Sequence, residues 1–145
     1  MKNFKYSLEN VLKYRKDKEE TIKQEFSDIQ RKYLIEKENL KELERKLESA
    51  VNTKVKNTSR EVNYRKNVYN YIQFLREKII LQKELTLNYK DELEEKRKEL
   101  IFAQKERKTI EKLKEKAYEK YKVEITRKEQ KFNDELAMFS YLRNS

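Results

Sequence analysis

The chain has 145 residues, of which 44% are charged; Lys and Arg outnumber Asp and Glu by 37 to 27, and Gly, Pro, Cys, His and Trp are all absent. Without His and Cys it lacks the commonest general base, metal ligand and thiol nucleophile, and without Gly it cannot build a phosphate-cradling loop. With no Gly or Pro to make turns, and only 36% hydrophobic residues to fill a core, a compact mixed fold is excluded.

Leu, Lys, Glu, Gln and Arg are good helix formers and dominate the sequence. The expected fold is all-α, an elongated antiparallel two-helix coiled-coil hairpin in a single domain, with room for a short helical break near the turn. High charge and low hydropathy also mark unfolded chains, but sustained heptads argue against disorder. Carboxylates abound on helix faces where nothing excludes water or shifts a pKa, so no catalysis, cofactor or metal is expected. The net charge of +10 invites a nucleic-acid reading. However, acids and bases are interspersed, as in the run DELEEKRKE from Asp91 to Glu99. That mixing disfavours nucleic acid as the primary target and points instead to acidic protein partners. No run of about 18 apolar residues exists for a transmembrane helix, and MKNFKYSLENVL lacks the apolar stretch of a signal peptide. A cytoplasmic location is the expectation.

In chain order, Phe4 and Tyr6 precede a plausible helix cap at Ser7. Leu8 and Leu12 then open an apolar face at heptad positions d and a. Arg15 at d and Glu19 at a interrupt it. These two either pair with opposite charges on another strand, setting register at some cost in stability, or mark a fraying end. From Ile22 to Ala50 the seam is regular: Ile22, Phe26, Ile29, Tyr33, Glu36, Leu40, Leu43, Leu47, Ala50, broken only by Glu36. So narrow a stripe suits one neighbouring helix.

The stretch NTKVKNTSREVN, residues 52 to 63, favours turns and caps. Asn57 can substitute for a C-terminal glycine, and Thr58 with Glu61 has capping-box spacing. This places helix one over about 7–56, a turn over about 56–59 and helix two over about 59–141. Continuation of the first helix to Asn63 or Asn67 is the alternative. Helix two carries Val68, Ile72, Leu75, Ile79, Gln82, Thr86, Tyr89, Leu93, Lys96, Leu100 and Ala103 as its seam. Ile110, Leu113, Ala117, Tyr121 and Ile125 then step mostly by four, a stutter that unwinds the supercoil locally. Phe132, Leu136, Phe139 and Leu142 close the chain on a shifted phase. A turn near residue 58 leaves everything beyond about residue 112 without a partner.

Between Tyr64 and Leu87 apolar residues exceed what one seam can use. Tyr71, Phe74, Leu81 and Leu85 form a second stripe. It either docks a partner or packs against another part of the chain.

Both ends carry a resemblance. FKYSLENVLKYRKDKEE, with Phe4, Tyr6, Leu8, Val11, Leu12 and Arg15, resembles the opening of the flagellar FliJ family. EQKFNDELAMFSYLR, with Lys131, Asp134, Glu135, Leu136 and Ala137, resembles that family's closing segment. The resemblance implies a soluble component of the flagellar type III export apparatus, with an antiparallel coiled coil similar to the central stalk of rotary ATPases. The implied partners are the hexameric export ATPase, the cytoplasmic part of the export gate, and export chaperones. Any position at the cytoplasmic face of the inner membrane would be reached through them. On this reading Phe4, Leu8, Arg15, Lys131, Asp134 and Glu135 would meet the ATPase, and Tyr71, Phe74, Leu75 and Leu81 the gate. The competing reading is a structural or spacer coiled coil that homodimerises.

Overall fold

The computed structural model describes residues 3–56 and 61–144, and among them there is no strand. Helix α1 runs Glu9–Lys56 and helix α2 runs Val62–Asn144, packed against each other as an antiparallel helical hairpin. The turn expected between Lys56 and Ser59, with Asn57 and Thr58, lies outside the described residues. Residues 3–6 are non-helical, and α1 opens after a turn at Ser7 and Leu8. There the Glu9 amide donates to the Tyr6 carbonyl at 3.2 Å and the Leu12 amide to the Leu8 carbonyl at 2.9 Å. Glu9 in the first turn and Lys54 and Lys56 in the last complement the helix dipole.

The chain divides into two compact units, one of Thr21–Ile101 and the other of Met1–Glu20 with Phe102–Ser145. In the Thr21–Ile101 unit every expected seam position on both helices is shielded: Ile22 through Ala50 on α1, and Val68 through Leu100 on α2. Ile72, Leu75, Ile79 and Leu93 are its buried residues. The polar interruptions are not scattered. The Gln82 side-chain amide donates to the Glu36 carboxylate at 2.5 Å and reaches the Glu36 carbonyl at 3.0 Å. Thr86 Oγ1 lies 2.8 Å from the Gln82 carbonyl and 3.4 Å from that of Glu36. Three residues that individually weaken the seam therefore form one cross-helix polar layer. Sliding the helices by one heptad would leave these groups facing apolar side chains, so the layer selects this stagger.

In the other unit the seam continues through charge. Shielded positions on α2 run Ala103, Arg107, Ile110, Lys114, Ala117, Tyr121 and Ile125. The three-and-four alternation therefore persists to Tyr121, and only the step to Ile125 is irregular. The stutter read from Leu113 to Ile125 is shortened to the two four-residue steps from Ala117 to Ile125: Leu113 is exposed and Lys114 takes the shielded place. Reading apolar residues alone skips a lysine whose aliphatic stem can line a seam while its amine pairs with an acid. The loss of partnership expected beyond about residue 112 begins instead after Ile125. One reason is the non-helical segment 3–6, since chain outside a helix can advance up to about 3.3 Å per residue against 1.5 Å within one. Phe4 thus reaches the Tyr118 and Tyr121 rings, at 5.2 and 5.3 Å between centroids.

Candidate partner-binding surfaces

Three surfaces follow from this architecture, two in the unit that holds the chain termini and one in the Thr21–Ile101 unit. The first is the charged, paired segment. Arg15 pairs with Glu106, and Glu19 with Arg107, so both charged seam residues that α1 contributes to this segment meet their opposites on α2. Lys114 reaches Glu9 at 2.7 Å, and Lys16 approaches Glu111 at 4.0 Å. The hydrogen bond that Arg107 donates to Glu19, with the one it donates to Glu111 adding to it, holds the guanidinium above its already high pKa. Of the two readings of Arg15 and Glu19, mating rather than fraying is what the helices adopt. Leu12, 2% exposed, is the apolar anchor of this segment, whereas Leu8 sits at its rim. Arg15 Nε is buried with no hydrogen-bond partner, a group whose desolvation costs about 1–3 kcal/mol. The Tyr6 hydroxyl donates to the Ile110 carbonyl at 3.4 Å. Phe4 and Arg15 are thus engaged within the chain, and Leu8 presents the more open side chain.

The second surface is the stretch of α2 from Thr126 to Asn144, where every residue is exposed. At 1.5 Å per residue this is roughly 28 Å of helix. Phe132, Leu136, Met138, Phe139, Tyr141 and Leu142 all lie open on it. Lys131, Asp134 and Glu135 lie on the same stretch and are exposed as well. No helix of the described residues is long and apolar enough to cross a membrane.

The third surface is the off-seam stripe. Tyr71, Phe74, Leu81 and Leu85 are exposed, and Lys78 lies over the Phe74 ring at 4.9 Å. Tyr64 and Tyr71 border a groove of about 530 Å³ with Lys46, Ser49 and Thr53. Leu75 does not belong to this surface. It is 2% exposed in the seam, because position 75 continues the Val68–Ile72 alternation and points at α1. Phe74 and Leu81 stay 50% and 65% exposed, so packing among the described residues of the Thr21–Ile101 unit does not consume the stripe.

Sequence reasoning missed Glu106, Arg107 and Lys114 as interhelical partners and Tyr118 and Tyr121 as a platform for Phe4. The signal for the charges was available: Arg107 and Lys114 fill the three-and-four gaps between Ala103, Ile110 and Ala117. No curated protein and no solved structure matches the chain. A family model described as flagellar FliJ protein matches residues 4–145, which takes in the ion-paired segment, the seam and the uncovered end of α2. The chain belongs to the FliJ family and is thereby a component of the flagellar export apparatus.

Proposed function

We propose that the chain binds the hexameric export ATPase in the manner of a rotary-ATPase central stalk and couples it to the export gate. The observation that carries this reading is the uncovered end of α2. Apolar side chains from Phe132 to Tyr141 remain exposed beside Lys131, Asp134 and Glu135, next to a hairpin segment held by ion pairs. An exposed apolar helix of this kind favours insertion into a ring of subunits that supplies the missing neighbours. Tyr71, Phe74 and Leu81 are the surface assigned to the cytoplasmic part of the gate, with export chaperones as further clients. Location at the inner membrane follows from these partners, and the chain acts as a coupling and assembly factor rather than an enzyme.

The test is stimulation of ring formation and ATP hydrolysis by the export ATPase of the same organism. The full chain should stimulate both, and a chain truncated after Ile125 should do neither while keeping its helicity below that point. Absence of stimulation together with absence of co-purification refutes the proposal.

A further inference from the structure

The Thr21–Ile101 unit has a second exposed face that the proposed function leaves unused. Along α2, Arg76, Lys83 and Lys90 stand seven residues apart, continuing to Arg97 and preceded by Tyr69. Arg97 lies 5.9 Å from the Phe26 ring and Lys54 lies 5.6 Å from the Tyr69 ring. These two contacts put the whole row beside the edge of α1 that carries Phe26. On that edge the next positions outward are Lys37, which lies 6.0 Å from the Tyr33 ring, then Leu34 and Lys41. The aromatic stripe is on the opposite edge, where Tyr64 and Tyr71 border the groove with Lys46 and Thr53.

The face therefore has an apolar floor and basic walls. Leu34, Ile80 and Leu87 are 55%, 66% and 56% exposed, and Ile80 and Leu87 again stand seven apart. Around them are Lys37, Lys41, Arg76, Lys83 and Lys90, none of which has an acidic partner among the described residues. By contrast, Arg97 at the end of the row is paired with Glu94 at 3.7 Å. From Arg76 to Lys90 the row therefore carries three positive charges that no carboxylate of the described residues engages. Its repeat is one heptad, about 10.5 Å at 1.5 Å per residue, in both the charged row and the apolar one.

We infer that this face binds an acidic amphipathic helix as a third strand alongside α1 and α2. The occupant presents apolar residues at seven-residue spacing to Leu34, Ile80 and Leu87, with Asp or Glu on either flank facing the basic walls. Its heptad repeat matches the row directly. Nucleic acid does not match, since phosphates recur about every 3.4 Å along each strand of the duplex and gain nothing from the apolar floor. The inference is independent of how the chain meets an ATPase or gate.

A labelled synthetic peptide of three heptads, with Leu once per heptad and Glu on both flanks, serves as the probe in an anisotropy titration. The full chain should bind it saturably. The triple variant R76E/K83E/K90E should bind at least about threefold more weakly, three exposed ion pairs at about 0.2–1 kcal/mol each summing to about 0.6–3 kcal/mol. The same triple variant should gain affinity for a peptide with Lys in place of Glu, which shows that it is folded and that charge is read in place. F74A/L81A, on the opposite edge, should bind within about twofold of the parent. A scrambled peptide of the same composition or a duplex DNA of equal charge binding as well as the probe would overturn the inference. So would sedimentation showing that a second copy of this chain occupies the face and excludes the peptide.

Discussion

Leu75 and Phe74 are adjacent in sequence and should respond to truncation in opposite ways. Leu75 is 2% exposed and fills the space between the helices, whereas Phe74 is 50% exposed with Lys78 over its ring. Replacing Leu75 by Ala removes three buried carbons, worth about 0.8 kcal/mol each on transfer to water, so about 2.4 kcal/mol. The further cavity penalty that takes such substitutions towards 5 kcal/mol in closed cores is small here. A seam one side chain deep lets water or neighbouring side chains fill the gap. The expected loss is therefore about 2–3 kcal/mol. Replacing Phe74 by Ala gives up an exposed cation–π contact worth about 0.5–1 kcal/mol and recovers part of it through the higher helix propensity of Ala. Its expected effect is under about 1 kcal/mol. Urea unfolding followed by helical circular dichroism measures both, and the parent slope should be retained in each. Equal losses for the two variants, or a larger loss for Phe74→Ala, would refute the assignment of 75 to the seam and of 74 to the surface.

The Glu36–Gln82–Thr86 layer predicts that the double variant E36L/Q82L melts higher than the parent and higher than either single variant. Replacing one partner strands the other, whereas replacing both completes the apolar seam; the melting temperatures decide it. Arg15→Glu should destabilise and Glu106→Arg should rescue it. The coupling in a double-mutant cycle should be about 0.2–1 kcal/mol, since both side chains keep partial solvent contact and the pair is screened; no coupling removes the pair. Hydrogen bonds that Lys96 donates to Glu25 and Glu99, the two acids' charges adding to them, raise its pKa above 10.5. Its contribution to stability is then complete below about pH 10.5 and disappears as pH rises through the raised value. Unfolding of Lys96→Met against the parent should show a stability difference that narrows above that pH and is flat below it.

The seam was legible because burial in a two-helix coil depends on side chains three and four residues apart on the same helix. Ile22 to Ala50 and Val68 to Ala103 could be read without knowing what they face. Arg15 and Glu19 were legible as seam charges but not as partners of Glu106 and Arg107, because an ion pair needs both helices placed. Leu75 shows the converse error. Chosen as a surface residue for its neighbours in sequence, it is turned inward by its heptad phase, which that choice set aside. The family resemblance rested on the two ends, and the family match extends it to residues 4–145.

By itself the sequence determined that the chain is helical, that each helix has one narrow apolar seam, and that chemistry based on His or Cys is excluded. Only the tertiary structure decided the stagger. A heptad pattern looks the same after any slide of seven residues, so no count of apolar positions selects one alignment over another. The selection comes from groups that tolerate only one opposite number: Gln82 against Glu36, Arg15 against Glu106, Arg107 against Glu19. Once these meet, the non-helical residues before α1 lay Phe4 on Tyr118 and Tyr121, and the shielded part of α2 ends at Ile125. What lies beyond, from Thr126 to Asn144, is exposed because the stagger set by those polar contacts brings no part of α1 alongside it.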